Sequence, residues 1–194
     1  CLHPEDGSLY AALARGGGGA LRMALEKPDK VSSLVLMGPG GIGSSRGAPT
    51  KGLKLLLNYY KGEGPTLEKL KEFVHGYLGY DPNDVPNELI DKRFQASLDP
   101  EVVANPPLQG PNSIRAWLRI DLTRDKRLKH CAVPTLTLWG TEDKTNRPSG
   151  GAYLQKTMPN CDLYLFSKTG HWVQWERPEE FNAVTAAFFR RHHA

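Results

Sequence analysis

The stretch Gly16–Gly41, GGGGALRMALEKPDKVSSLVLMGPGG, decides the architecture. Its first part, ALRMALEKPDK, has helical character and stops at Pro28, because proline lacks the amide donor a helix interior needs and clashes with the preceding turn. Its second part, Val31–Met37, is a β-branched and leucine-rich run closed by Gly38, which suits a strand buried on both faces. Two further runs of the same kind follow, VPTLTLWG ending at Gly140 and DLYLFS from Asp162. Between these two lies SGGAYLQKTMP, a short helix closed by Pro159. After the last comes RPEEFNAVTAAFFRRHH, with Pro178 in its first turn, acids behind it, and arginines and histidines in its last turn, as the helix dipole prefers. Phe181, Val184 and Phe188 give that helix one apolar face. Strand alternating with helix predicts an α/β fold with a parallel sheet, of which three strands are legible.

From Ser44 to Lys129 the rhythm breaks. The segment is rich in glycine and proline and offers helices but no convincing strand. TLEKLKEFVHGYL carries a Thr66 cap and apolar residues at Leu67, Leu70, Val74 and Tyr77. NELIDKRFQAS places Leu89, Ile90 and Phe94 on one side of a helix. The expected organisation is therefore a sheet core formed by residues 1–43 and 130–194, with residues 44–129 inserted over it as a helical lid.

The totals narrow the function classes. The 194 residues suffice for one domain with a real core, and 39% hydrophobic with 24% charged residues describe a globular chain. Net charge is +4, and the densest basic run, Arg124–His130, has no aromatic-studded stripe beside it, so no nucleic-acid partner is expected. Cys1, Cys131 and Cys161 make an odd count without CxxC spacing, which fits a reducing, cytoplasmic setting rather than disulfides or a zinc site. No apolar run is long enough for a bilayer, and CLHPEDGSLY has neither a signal-peptide pattern nor an initiator methionine, so the sequence reads as a fragment.

Two loops carry the candidate chemistry. In an open parallel sheet, catalysis gathers beyond the carboxyl ends of the strands. Glu142 and Asp143 in WGTEDKT lie just past one strand, and His171 in TGHWVQWE lies five residues past Phe166, near the end of the next. On adjacent strands, acid and imidazole meet side by side, and a carboxylate on one ring nitrogen leaves the other to act as base. Gly38, Gly40 and Gly43 satisfy G-x-G-x-x-G, but no helix follows, so the run reads as a flexible strand-exit loop and no cofactor is expected. Arg93 falls on the apolar side of its helix, where a guanidinium suits a carboxylate ligand. Pattern alone favours snorkelling for Arg93 and simple packing for Trp172 and Trp175. The remaining histidines show no ligand spacing.

GGGGALRMALEKPDKVSSLVLMGPGG, ELIDKRF, LWGTEDKTN and GHWVQWERPEEFN together resemble the meta-cleavage-product hydrolases, over roughly Gly17–Arg190. These α/β-hydrolase enzymes cleave carbon–carbon bonds in the ring-opened products of aromatic and steroid catabolism. The resemblance implies a partial α/β-hydrolase fold, with Asp143 as triad acid and His171 as triad base. Arg93 and Trp172 would line the substrate pocket, and an acidic 2-hydroxy-6-oxo-dienoate would be the small-molecule substrate. The family's habit implies a homo-oligomer, without metal or organic cofactor. Its serine nucleophile sits in a G-x-S-x-G elbow just before this helix, where a gap-free reading puts Ala14, followed by Arg15. Ser8 is the nearest serine, and using it requires an insertion. The first 15 or so residues read as foreign sequence, and the first strand is expected to have an uncovered edge. The sequence thus predicts a hydrolase by ancestry with little or no activity. An esterase-like hydrolase, a ligand-binding remnant without catalysis and a half-protein completed by a partner are the alternatives.

Overall fold

The computed structural model describes residues 8–42, 49–111 and 113–193; Cys1, His3, Gly43 and Ser44 lie outside them. Four parallel strands, β1 (Ser8–Leu13), β2 (Val31–Met37), β3 (Thr135–Gly140) and β4 (Cys161–Phe166), form one sheet in the order β1-β2-β3-β4. The first strand corrects the three-strand expectation. SLYAAL carries two alanines of poor strand propensity, yet Leu9–Leu13 pair in register with Ser33–Met37 and cover the β2 edge. Tertiary pairing overrides the local preference there, and Ser8–Leu13 form the fourth strand of the sheet.

α1 (Ala14–Glu26) connects β1 to β2, and α7 (Ser149–Thr157) connects β3 to β4. Alternation along β2 sends Leu34 and Leu36 to one face and Val35 and Met37 to the other. On the first face they meet Leu21, Ala24 and Leu25 of α1, Leu154 of α7 and Leu128. On the second they meet Leu136, Leu138 and Phe166, covered by Val173 of α8 (Val173–Glu176) and Phe188 of α9 (Pro178–His193). Every residue of β3 is buried, as its composition predicts. β4 differs from the expected fully buried strand: it ends the sheet, and Leu165 remains 46% exposed.

Between β2 and β3 the described residues are helical: α2 (Lys51–Asn58), α3 (Leu67–Phe73) running into a π turn at Val74–Leu78, α4 (Asn87–Ser97), α5 (Pro100–Ala104) and α6 (Ile114–Ile120). Thr50 and Thr66 cap α2 and α3 through their hydroxyl oxygens, which accept from the amides of Leu53 and Lys69. These helices own a separate core of Leu70, Phe73, Val74, Leu78, Val85 and Ile90, against which Trp172 packs. After α6, Leu122 and Leu128 already belong to the core beneath the sheet.

Candidate active site

Asp143 follows β3 in a tight turn that its own carboxylate organises. Its Oδ1 accepts from the backbone amides of Thr145 and Asn146, both at 2.8 Å. That leaves Oδ2 for His171 Nδ1 at 2.7 Å, in a pair whose side chains are 4% and 1% exposed for His171 and Asp143. Parallel pairing of β3 with β4 places the two strand-exit loops side by side, as the sequence predicts. Glu142, the other acid in that turn, is exposed; its amide donates to the Thr169 carbonyl and ties the two loops together. With Nδ1 engaged by a carboxylate, the imidazole is fixed in orientation, an arrangement in which Nε2 can act as a base.

The floor of this pair is Gly38, at the end of β2. Its φ is +47°, and a Cβ there would stand 3.1 Å from Asp143 Oδ2, His171 Cε1 and His171 Nδ1. Asn146 donates through Nδ2 to the Gly38 carbonyl at 2.8 Å. The sequence reading of this glycine as part of a flexible loop misses its role in packing, because the groups that crowd it lie more than 100 positions away.

The β1–α1 junction reproduces the geometry of a nucleophile elbow. Ala14, which follows β1 directly and opens α1, has a positive φ of +48°, and its carbonyl accepts from the Gly40 amide at 2.6 Å. A Cβ on Gly18 would collide with the Gly40 carbonyl, so the glycine-rich start of α1 is what lets helix and β2-exit loop approach. The sharp turn carries a methyl group as its side chain. Ser8 pairs with Val31 at the opposite end of β1, roughly 20 Å along the strand from the turn.

Arg93 and Trp172, from elements 79 positions apart, come together: the guanidinium carbon lies 5.0 Å from the indole centroid. The Arg93 side chain is exposed overall, while the guanidinium itself is partly desolvated, which lowers its pKa against the raising influence of Tyr59. The group stays cationic at any working pH, so the consequence is a weakly hydrated charge ready for an anion. Thr145 and Glu176 join the site without a motif that marks them in the sequence. The Thr145 hydroxyl donates to the Tyr77 carbonyl, joining the Asp143 turn to the helical segment. For Glu176 the only available signal was its spacing, five residues after His171. Among the described residues no group of three or more His, Cys, Asp or Glu side chains could hold a metal ion.

A four-stranded parallel sheet with a strand–elbow–helix unit and a His–Asp pair at its carboxyl end defines an α/β hydrolase. The chain belongs to the alpha/beta hydrolase fold family, whose pattern it matches over residues 15–178. Its relatives include the 2-hydroxy-6-oxo-6-phenylhexa-2,4-dienoate hydrolase of Burkholderia cepacia, 35% identical over 89% of this chain and 59% of that one. The hydrolase of the same name from Delftia acidovorans is 32% identical over 96% of this chain and 70% of that one. A crystal structure of a meta-cleavage product hydrolase from Pseudomonas fluorescens, a serine-to-alanine mutant complexed with acetates, superposes with a TM-score of 0.80 at 28% identity, covering 96% of this chain and 66% of that one. The chain thus resembles the meta-cleavage-product hydrolases in sequence and in fold, and spans 59% of the Burkholderia relative's length.

Proposed function

We propose that this site is that of a meta-cleavage-product hydrolase which binds a 2-hydroxy-6-oxo-hexa-2,4-dienoate-type acid but has no serine to acylate. The buried His171–Asp143 pair and the elbow-shaped turn at Ala14, both in contact with the β2-exit loop at Gly38 and Gly40, carry this reading. Arg93, backed by Trp172, is the cation for the substrate carboxylate, and residues 44–129 are the lid over the pocket. Asp143 fixes the imidazole; His171 Nε2 is the base that would take the proton of an elbow hydroxyl as its oxygen attacks the substrate's C6 carbonyl. That attack would fall on the keto tautomer, in which the dienol proton has moved to C5. Cleavage of the C5–C6 bond would then send its electrons to the C2 oxygen, which takes the proton back from the imidazolium. A 2-hydroxypentadienoate is released, and an acyl group is left on the elbow oxygen for water to remove. With a methyl at position 14 the first bond cannot form. We assign the chain to aromatic or steroid catabolism in the cytoplasm, with a homo-oligomer as the working state and no nucleic-acid partner. Among the described residues no helix is long and apolar enough to cross a membrane.

The test is Ala14→Ser, followed by single-turnover absorbance with a 2-hydroxy-6-oxo-6-phenylhexadienoate. The expected wild-type behaviour is a spectral shift on mixing without decay, and decay to products in the variant that His171→Ala abolishes. A folded wild type and variant that both leave the spectrum unchanged would refute the reading. Equal decay in the two proteins would refute the role given to position 14.

A further inference from the structure

An imidazole aimed at Asp143 needs a His171 backbone held in place. The loop from Phe166 to α8 is short of regular structure, and its amides must be satisfied from elsewhere. One side chain satisfies two of them, on either side of His171. Glu176, at the end of α8, turns back so that its Oε2 accepts from the Gly170 amide at 2.8 Å and its Oε1 from the Trp172 amide at 3.1 Å. The amides on both sides of His171 therefore end on a single carboxylate. The same Oε2 accepts from the Tyr80 amide at 2.8 Å, in the helical segment. The His171 amide itself donates to the Leu78 carbonyl at 2.7 Å, two residues before Tyr80.

Four hydrogen bonds thus lock residues 170–172 to residues 78–80, and three of them converge on Glu176. We propose that Glu176 is a positioning residue for His171: its carboxylate sets the backbone from which the imidazole reaches Asp143, and couples that position to the helical segment through Tyr80. The proposal rests on the reading of His171 as the site's base. Bonds to an ionised carboxylate are roughly twice as strong as neutral ones, and no neutral side chain can accept at all three amides with the same charge. Arg177 contributes at the other end of the loop, where its Nη2 donates to the Ser167 carbonyl at 3.1 Å. That contact holds the loop's entry, whereas Glu176 holds the residues flanking the histidine.

The test compares wild type, Glu176→Ala, Glu176→Gln and the surface control Glu88→Ala by amide hydrogen exchange and by NMR of the His171 ring, assigned through its loss in His171→Ala. The expected result for Glu176→Ala is exchange at Gly170, Trp172 and Tyr80 faster by roughly tenfold or more, with β2 and β3 amides unchanged. The low-field Nδ1 proton shared with Asp143 should broaden or vanish at the same time. Glu176→Gln retains one carbonyl acceptor and turns an NH2 group toward an amide, so it should fall between the two. Equal loss of protection in loop and strands in both variants would make Glu176 a general stability residue and overturn the proposal. Fast loop amides with an unchanged Nδ1 proton would overturn it as well. Neither readout needs turnover, so an inert Ala14→Ser protein would sink the proposed function while leaving this result to stand on its own. Where Ala14→Ser is active, adding Glu176→Ala should lower kcat with KM nearly unchanged, and an unchanged kcat would count against positioning.

Discussion

Gly38→Ala tests whether the Asp143 and His171 loops close over the end of β2. Two costs and one gain compete. At φ +47° an L-residue with a Cβ is disfavoured by about 1–2 kcal/mol. The added methyl would also stand 3.1 Å from Asp143 Oδ2, His171 Cε1 and His171 Nδ1, closer than ordinary carbon contacts. Both neighbours are buried and hydrogen-bonded, so relief requires moving the pair, at the ~1–3 kcal/mol typical of overpacking. Against this, alanine restricts the unfolded chain and returns about 0.4–1 kcal/mol. The net expectation is a loss of roughly 2–4 kcal/mol, a large share of a domain's usual stability of about 5–15 kcal/mol. The assay is urea unfolding followed by tryptophan fluorescence, with Gly62→Ala as the reference. Gly62 has φ +70° and nothing within 4 Å of a built Cβ, so it isolates the backbone contribution. The difference between the two variants is the steric cost at the His171–Asp143 pair. If Gly38→Ala costs no more than Gly62→Ala, the pair does not rest on Gly38 and the packing argument fails.

Three further outcomes are expected. Arg93→Met keeps the stem and removes the cation, so dienoate binding read by spectral titration should weaken roughly 10- to 100-fold, with stability changed by less than about 1 kcal/mol; unchanged affinity would separate Arg93 from the ligand. Thr145→Val keeps the shape but removes the buried hydroxyl that donates to the Tyr77 carbonyl, and should cost about 1–2 kcal/mol in thermal unfolding. Burial pushes the Cys161 thiol up to about 11 from 9.0, so its thiolate is about a hundredfold scarcer near pH 8 and iodoacetamide should label it only after unfolding. Because the folded thiol holds its proton more tightly, its contribution to stability is full below about pH 9 and is lost as pH rises toward about 11, which alkaline urea titration of Cys161→Ala against wild type would show.

The parts of the fold that the sequence reveals are those whose signal is local. β2 and β3 show as apolar runs, α9 by Pro178, Glu179 and its basic end, and α1 by its stop at Pro28. β1 escapes because Ala11 and Ala12 carry little strand preference, and the resemblance fades upstream of Gly16; its identity comes from pairing with β2. The meeting of Asp143 with His171 is legible because adjacency of strands in a parallel sheet brings their exit loops together. Which acid of Glu142 and Asp143 turns inward is not local information, since it depends on the Thr145 and Asn146 amides capturing the other oxygen of Asp143. Gly38 and Glu176 are hidden for the same reason: their meaning lies in partners from other loops.

The strained turn at Ala14 bears most directly on the proposal that a hydroxyl is missing there. A positive φ at Ala14 costs about 1–2 kcal/mol, which an alanine with no catalytic task has no reason of its own to accept. The strain persists because the turn is fixed from outside the residue. The Gly40 amide binds the Ala14 carbonyl, and the glycine-rich start of α1 lies so close to Gly40 that relaxing the turn would drive the helix into the β2-exit loop. The same exit loop begins with Gly38, on which the His171–Asp143 pair rests. Elbow, loop and pair are thus one packed unit, to which position 14 is tied through its backbone carbonyl. Exchanging that methyl for a hydroxymethyl should therefore leave the backbone where it is, so the response of Ala14→Ser reports on chemistry rather than on folding.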